Sequence, residues 1–167
     1  MNDLTITLAQ LNLTVGDITG NTKRILSAWQ QATSDIIVFP ELALCGYPPE
    51  DLLFRPGFHT RIHKAIENIK KLTQATDCIA LIGHPEQINE HCYNRVSAFH
   101  HGQIIAIYDK QLLPNYSVFD EQRYFTPGRQ STHITVKQHR IGLLICEDLW
   151  QPEPILALKN QAVDLAI

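Results

Sequence analysis

Basic residues nowhere gather into a block in this chain, and cysteines nowhere come as close pairs. With 14 Lys and Arg against 17 Asp and Glu, the formal net charge is −3. That balance excludes an electrostatic grip on nucleic acid or on an anionic membrane surface, both of which need clustered positive charge. Cys45, Cys78, Cys92 and Cys146 are widely spaced with no C-x-x-C, a pattern of reduced thiols rather than of a disulfide framework. No apolar run approaches the ~20 residues of a membrane helix. The opening "MNDLTITLAQLNL" carries Asp3 and alternating polarity, unlike a secretory segment with its basic start and unbroken apolar core. These features together predict a cytoplasmic protein. Phosphate-cradling G-x-x-x-x-G-K-[ST], dinucleotide G-x-G-x-x-G and nucleophile-elbow G-x-S-x-G motifs are all missing, as are repeats, low-complexity tracts and linkers.

What is present reads as one α/β domain over residues 1–167, long enough to bury a substantial core. "LTITLAQLNL" alternates as a half-buried strand. "DITGNTKRILSAWQQA" carries a helical apolar stripe, with Asn21 or Thr22 as its expected cap. "DIIVF" and "CIALIG" are short branched runs suited to buried strands. Between them, Phe58, Ile62, Ala65, Ile66, Ile69 and Leu72 trace a second amphipathic helix. Hairpins are predicted around His101-Gly102 and around 137–140, then a Pro-led helix in "PEPILALKNQ" and a strand beginning in "VDLAI". This order predicts a layered α/β architecture with mixed strand pairing and helices over one face. Ending inside an apolar run, the chain reads as the N-terminal part of a truncated domain. It is therefore expected to expose apolar strand and helix surface, and to associate as a homo-oligomer or to need its C-terminal remainder.

Three polar residues stand at the ends of apolar runs: Glu41 after "IIVFP", Lys110 after "IIAIYD" and Cys146 after "IGLLI". Strand ends are where layered α/β folds place ligands. A carboxylate, an ammonium and a thiol meeting there make a coherent set. The carboxylate takes the thiol proton, the thiolate attacks a carbonyl carbon, and the ammonium stabilises the oxyanion. A free thiol of pKa ~8.5 is mostly neutral at pH 7, so it needs such a base or such a cation. Taken alone, a cysteine ending a buried strand is more often a packing residue, and only the threefold coincidence reverses that. Cys45, four residues after Glu41 in a Pro-rich loop, is the competing thiol; Cys78 and Cys92 read as packing residues. His59 and His63 have the i, i+4 spacing of a metal pair, but with no third ligand a solvated helix face is the better reading, and no metal site is expected.

At these residues the chain resembles the nitrilase, or carbon–nitrogen hydrolase, superfamily, in the segments "VFPELALCGY", "YDKQLLP" and "GLLICEDLW". The resemblance implies an α-β-β-α sandwich with a Glu–Lys–Cys triad: Glu41 the general base, Lys110 the oxyanion stabiliser, Cys146 the nucleophile, and the Glu147 backbone N–H a second oxyanion donor. "GYPPEDLLFRPGF" and "KQLLPNYSVFDEQRYFTPG" are more narrowly similar to the glutaminase domains of glutamine-dependent NAD synthetases. That similarity implies that L-glutamine is hydrolysed through a thioester and its ammonia passed to a synthetase domain, absent here, which amidates nicotinic acid adenine dinucleotide with ATP and Mg²⁺. No cofactor is implied for this chain itself. Tyr47, Tyr116, Phe119 and the Glu147 side chain match positions around the glutamine pocket. Two alternatives stay open at this level, a stand-alone amidase acting on another small amide and a non-catalytic piece serving as an assembly surface.

Overall fold

In the computed structural model, which describes residues 3–167, the branched run after Asp35 forms β2 (Ile36–Val38) and "CIALIG" opens β3 (Ile79–Ile88). Side chains along these two strands alternate between two separate interiors, as the period of a strand requires. Ile37, Ala80 and Ile82 face one apolar cluster, and Ile36, Ile79 and Leu81 face the other. The sheet that they centre also holds β1 (Ile6–Leu8), β4 (His91–His100) and β5 (Gln103–Asp109), in the order β1-β2-β3-β4-β5. The first three strands are parallel and the last three antiparallel.

The first cluster is roofed by α1 (Ile18–Gln31) and α2 (Phe58–Leu72), whose apolar stripes supply Ile18, Ile25, Trp29, Phe58, Ile62 and Ile69. The second is closed by another sheet, β6 (Thr132–Val136), β7 (His139–Leu143) and β8 (Leu165–Ala166), with β7 in the middle. Ile134, Ile141 and Leu143 point from it toward the first sheet. On its far side lies α3 (Pro152–Asn160), whose Leu158 packs where Gly142 has no side chain. The layers therefore run helix, sheet, sheet, helix: an α-β-β-α sandwich. Helices cover both outer faces, correcting the one-face arrangement that element order suggested. Among the described residues, no helix is long and apolar enough to cross a membrane. Apolar side chains do remain exposed around α3, with Trp150 78%, Leu156 52% and Leu165 41% accessible.

Three local expectations need correction. The cap of α1 is Asp17, whose carboxylate accepts the Gly20 N–H at 2.9 Å. Asn21 is instead spent inside the fold, accepting the Thr14 N–H and donating to the Thr14 and Leu44 carbonyls, and the Thr22 hydroxyl donates to the Ile18 carbonyl. The first strand stops at Leu8, with Ile6–Leu8 in register against Ile36–Val38 of β2. Finally, β3 continues through Pro85 to Ile88 and turns back into β4, a hairpin hidden by the polar stretch "HPEQINEH".

Gly83 of β3 matters for the site because the Glu41 segment passes directly over it. A Cβ there would lie 2.5 Å from the Leu42 nitrogen and 3.1 Å from the Pro40 carbonyl oxygen, and the Gly83 carbonyl accepts the Leu44 N–H at 3.0 Å. Backbone on both sides leaves nothing flexible to give way. Gly83→Ala is therefore expected to cost about 1–3 kcal/mol through overpacking. It should lower the urea midpoint of unfolding with little change in the slope of the transition.

Candidate active site

Lys110 follows β5 immediately and is completely buried. Its backbone is pinned on both sides, the N–H donating to the Asn94 carbonyl at 2.9 Å and the carbonyl accepting the Gly128 N–H at 2.8 Å. Its ammonium lies 2.7 Å from Glu41 Oε1 and 2.9 Å from each Glu121 oxygen. Asn94 Nδ2 donates to the same Glu41 oxygen at 2.7 Å, and the Tyr47 hydroxyl donates to Glu121 Oε1 at 2.9 Å. One continuous polar thread thus runs Tyr47–Glu121–Lys110–Glu41–Asn94.

Cys146 arrives from the other sheet. It follows β7 by three residues, opens the short 3-10 turn Cys146–Leu149 and takes a left-handed backbone with φ +46°. That sharp turn brings Cys146 out to the surface while Leu143, Leu144 and Ile145 before it stay buried. Glu41, Asn94 and Cys146 line one cleft between the two sheets, walled by Val38, Val96 and Leu143. The three strand-end residues of the sequence are therefore brought together, but from two sheets rather than along one sheet edge.

The four flanking residues take different places around this centre. Tyr47 joins the thread through Glu121, and it lines a neighbouring hollow with Phe119. The Tyr116 hydroxyl donates to Glu147 Oε2 at 2.9 Å, and the Phe119 ring meets the Tyr116 ring edge-on with centroids 5.7 Å apart. Tyr116 and Glu147 line a third, open hollow on the surface. Glu121 and Asn94 were not singled out in the sequence. Glu121 lies inside the quoted "FDEQRYF", yet follows no apolar run; Asn94 sits within a strand, where a polar residue signals nothing by itself. The competing groups fall away. Cys45 is buried, its thiol directed at the Leu42 and Gly46 carbonyls, and burial pushes its pKa up to about 12. Burial raises the Cys92 thiol likewise to about 12, and Cys78 is buried too. His59 and His63 diverge, one toward the Leu53 carbonyl and the other toward Glu86.

The electrostatics assign protonation states. Burial disfavours the charged form of Lys110, but Glu41 and Glu121 outweigh it, so the pKa ends above the usual lysine value and the group is an ammonium. Burial, then the charge of Glu41, raises the Glu121 pKa, opposed by Lys110 and Tyr47. Partial burial and then Glu41 hold the Cys146 thiol above its ordinary range, with Lys110 pulling the other way. The resting sulfur is therefore protonated rather than a standing thiolate, and could act as a nucleophile only with a base at hand.

A carbon–nitrogen hydrolase family model matches residues 5–167 of this sequence. Among curated relatives, the glutamine-dependent NAD(+) synthetase of Aquifex aeolicus is 46% identical over 154 residues, covering 91% of this chain and 27% of that protein. The glutamine-dependent NAD(+) synthetase of Xanthomonas campestris pv. campestris is 41% identical over 170 residues, covering 98% of this chain and 30% of that protein. Among solved structures, the glutamine-dependent NAD+ synthetase from Acinetobacter baumannii in complex with adenosine diphosphate superposes with a TM-score of 0.92 at 36% identity, over 96% of this chain and 31% of that one. An amidase of the nitrilase superfamily from Nesterenkonia AN1 matches with a TM-score of 0.86 at 20% identity, over 96% of this chain and 62% of that one, a likeness of fold alone. The chain thus spans less than a third of the length of these curated relatives.

The burial contrast among the four thiols sets an expected outcome. Iodoacetamide should label Cys146 while Cys45, Cys78 and Cys92 stay unmodified, as mass mapping would read. The pH midpoint of labelling should lie above that of an ordinary cysteine, near ~8.5. Glu41→Gln removes the negative charge that raises the thiol, so its midpoint should fall. A midpoint that rises or stays in place would show that Glu41 does not face the sulfur.

Proposed function

Because the chain belongs to the carbon–nitrogen hydrolase family, we propose that it is the glutaminase part of a glutamine-dependent NAD synthetase, with Cys146, Glu41 and Lys110 as its catalytic residues. What supports the reading is identity of 41–46% to glutamine-dependent NAD(+) synthetases over 91–98% of this chain. The fold likeness to an amidase does not separate the two activities; the identity to the synthetases is what favours the glutaminase reading.

In this reading the carboxamide of L-glutamine enters the cleft between the sheets beside Cys146. Glu41 takes the thiol proton as sulfur attacks the carboxamide carbon. Negative charge then develops on the carbonyl oxygen and is met by the buried Lys110 ammonium and the Glu147 backbone N–H. Collapse of the intermediate breaks the carbon–nitrogen bond, with Glu41 returning its proton to the departing ammonia. The resulting glutamyl thioester is hydrolysed by water, for which Glu41 again serves as base, releasing glutamate and the Cys146 thiol. Tyr47 and Glu121 keep Lys110 fixed and charged throughout. The Tyr116–Glu147 pair and Phe119 form the rim that recognises the amino-acid end of glutamine. Ammonia passes to the synthetase portion of such an enzyme, where ATP and Mg²⁺ act, outside residues 1–167.

The full-length enzyme with Cys146→Ala is expected to lose NAD formation from glutamine by at least the ~10³-fold typical of a missing nucleophile, while added ammonium still supports it. Assays with each nitrogen source read the difference. Glutamine use surviving in Cys146→Ala would remove the sulfur from the mechanism. Glutamine left uncleaved by the wild type would replace this substrate with another amide.

A further inference from the structure

Glu41 and Lys110 come from one sheet and Cys146 from the other, and the two sheets meet mainly through apolar side chains such as Leu81, Ala98, Ile141 and Leu143. Apolar contact is non-directional; it holds the sheets together without fixing how one slides on the other. A directional link is needed for the sulfur to meet its base within a few tenths of an ångström. The structure contains one that the mechanism above does not use. Asp148, two residues past the nucleophile, is completely buried and reaches across from the Cys146 turn. Its Oδ1 accepts the backbone N–H groups of Gln111 at 3.2 Å and Leu112 at 2.8 Å. Its Oδ2 accepts the Tyr108 hydroxyl at 2.8 Å and the Ile145 N–H at 3.2 Å. Three of those donors, at 108, 111 and 112, bracket Lys110; the fourth immediately precedes Cys146.

We propose that Asp148 is the positioning residue that locks the nucleophile turn to the lysine strand, its carboxylate holding Cys146 in register with Lys110 and Glu41. The proposal rests on the reading of Cys146 as the nucleophile. A carboxylate suits this place because it only accepts, and two oxygens here face four donors. Burial works against its charged form and leaves the pKa above the ordinary carboxylate value, although all four donors favour the charge. A carboxamide of the same shape offers one accepting atom. With its oxygen kept on Gln111 and Leu112, its amide nitrogen faces Tyr108, whose hydroxyl can reverse, and the Ile145 N–H, which cannot. Asp148→Asn therefore releases the nucleophile side while sparing the lysine side.

The test uses the full-length protein as wild type, Asp148→Asn and Tyr108→Phe, with two readouts: the pH profile of iodoacetamide labelling at Cys146, and glutamine hydrolysis. The charged and titratable groups facing the sulfur, namely Glu41, Lys110, Glu121, Tyr47 and Tyr116, are the same in all three. In Asp148→Asn the sulfur moves away from Glu41 and out of its partial burial, so its labelling midpoint should fall toward the ordinary thiol value. Labelling at pH 7 then becomes faster while hydrolysis drops by about 10²-fold, the cost of a misplacement near 1 Å. Tyr108→Phe removes one donor of four and should move both readouts the same way by a few-fold. A general loss of stability would instead expose Cys45, Cys78 and Cys92 to label; should Asp148→Asn do so, Tyr108→Phe decides. A wild-type labelling midpoint in the folded variants overturns the proposal, whether or not hydrolysis falls. If the wild type hydrolyses no glutamine, the functional reading fails and the midpoint shift still decides the coupling.

Discussion

A fully buried ammonium between two carboxylates is the constraint around which the site is organised. Lys110 cannot be hydrated where it stands, so Glu41 at 2.7 Å and Glu121 at 2.9 Å are what make its charge tolerable. The dependence is mutual. Without the ammonium, two carboxylates would face each other across a low-dielectric gap, and removing one member of such a buried set costs on the order of 3–5 kcal/mol. Each carboxylate therefore carries its own support, Asn94 on Glu41 and Tyr47 on Glu121. The loops that deliver these groups have no freedom to wander, and Gly83 marks how tightly the Glu41 segment is laid against the central strand.

Most of the fold was legible because burial leaves a periodic trace. The branched runs at 36–38 and 79–82, the helical stripes of α1 and α2 and the hairpin turn at 101–102 appear where apolar period and turn residues place them, and the turn expected around 137–140 falls at 137–138. Misreadings fell where polar side chains do structural work. Asn21 has the chemistry of a cap but is consumed in fastening the Leu44 carbonyl and the Thr14 backbone, so the cap moves back to Asp17. The β3–β4 hairpin runs through His84, Pro85 and Glu86, residues that read as loop; His84 is nevertheless buried against the Ser97 hydroxyl across the strand pair. Layering on both faces became readable only through the resemblance, since element order alone does not say that β6, β7 and β8 leave the first sheet.

The same division applies to the site. Glu41, Lys110 and Cys146 drew notice together, because three apolar runs each ending in a reactive side chain make a pattern that none makes alone. Glu121, Asn94 and Asp148 leave no such pattern. Asn94 and Asp148 support residues 36 to 53 positions away, and Glu121 reaches Lys110 from 11 positions away across a loop, relations that only the folded chain creates. The electrostatics agree with the sequence-level reading of a thiol that needs a base: burial and the Glu41 charge outweigh Lys110 and keep the sulfur protonated.

That outcome follows from counting charge inside the cluster. Two carboxyl groups, of Glu41 and Glu121, already crowd around the single ammonium of Lys110. A resting thiolate at Cys146 would add a further negative charge, in a place where burial magnifies repulsion. Keeping the proton on sulfur until a neutral carboxamide arrives avoids that state. In the proposed reaction, as Glu41 takes the proton, negative charge moves from carboxylate to sulfur and on to the carbonyl oxygen, while the net charge of the cluster stays constant. The barrier is lowered by fixed donors awaiting the new position of the charge, without any need for water to reorganise. Such a transfer works only if sulfur, carboxylate and ammonium hold their mutual distances while the charge moves. A site assembled from two sheets therefore needs directional hydrogen bonds between them, because the apolar contact that joins those sheets cannot supply register.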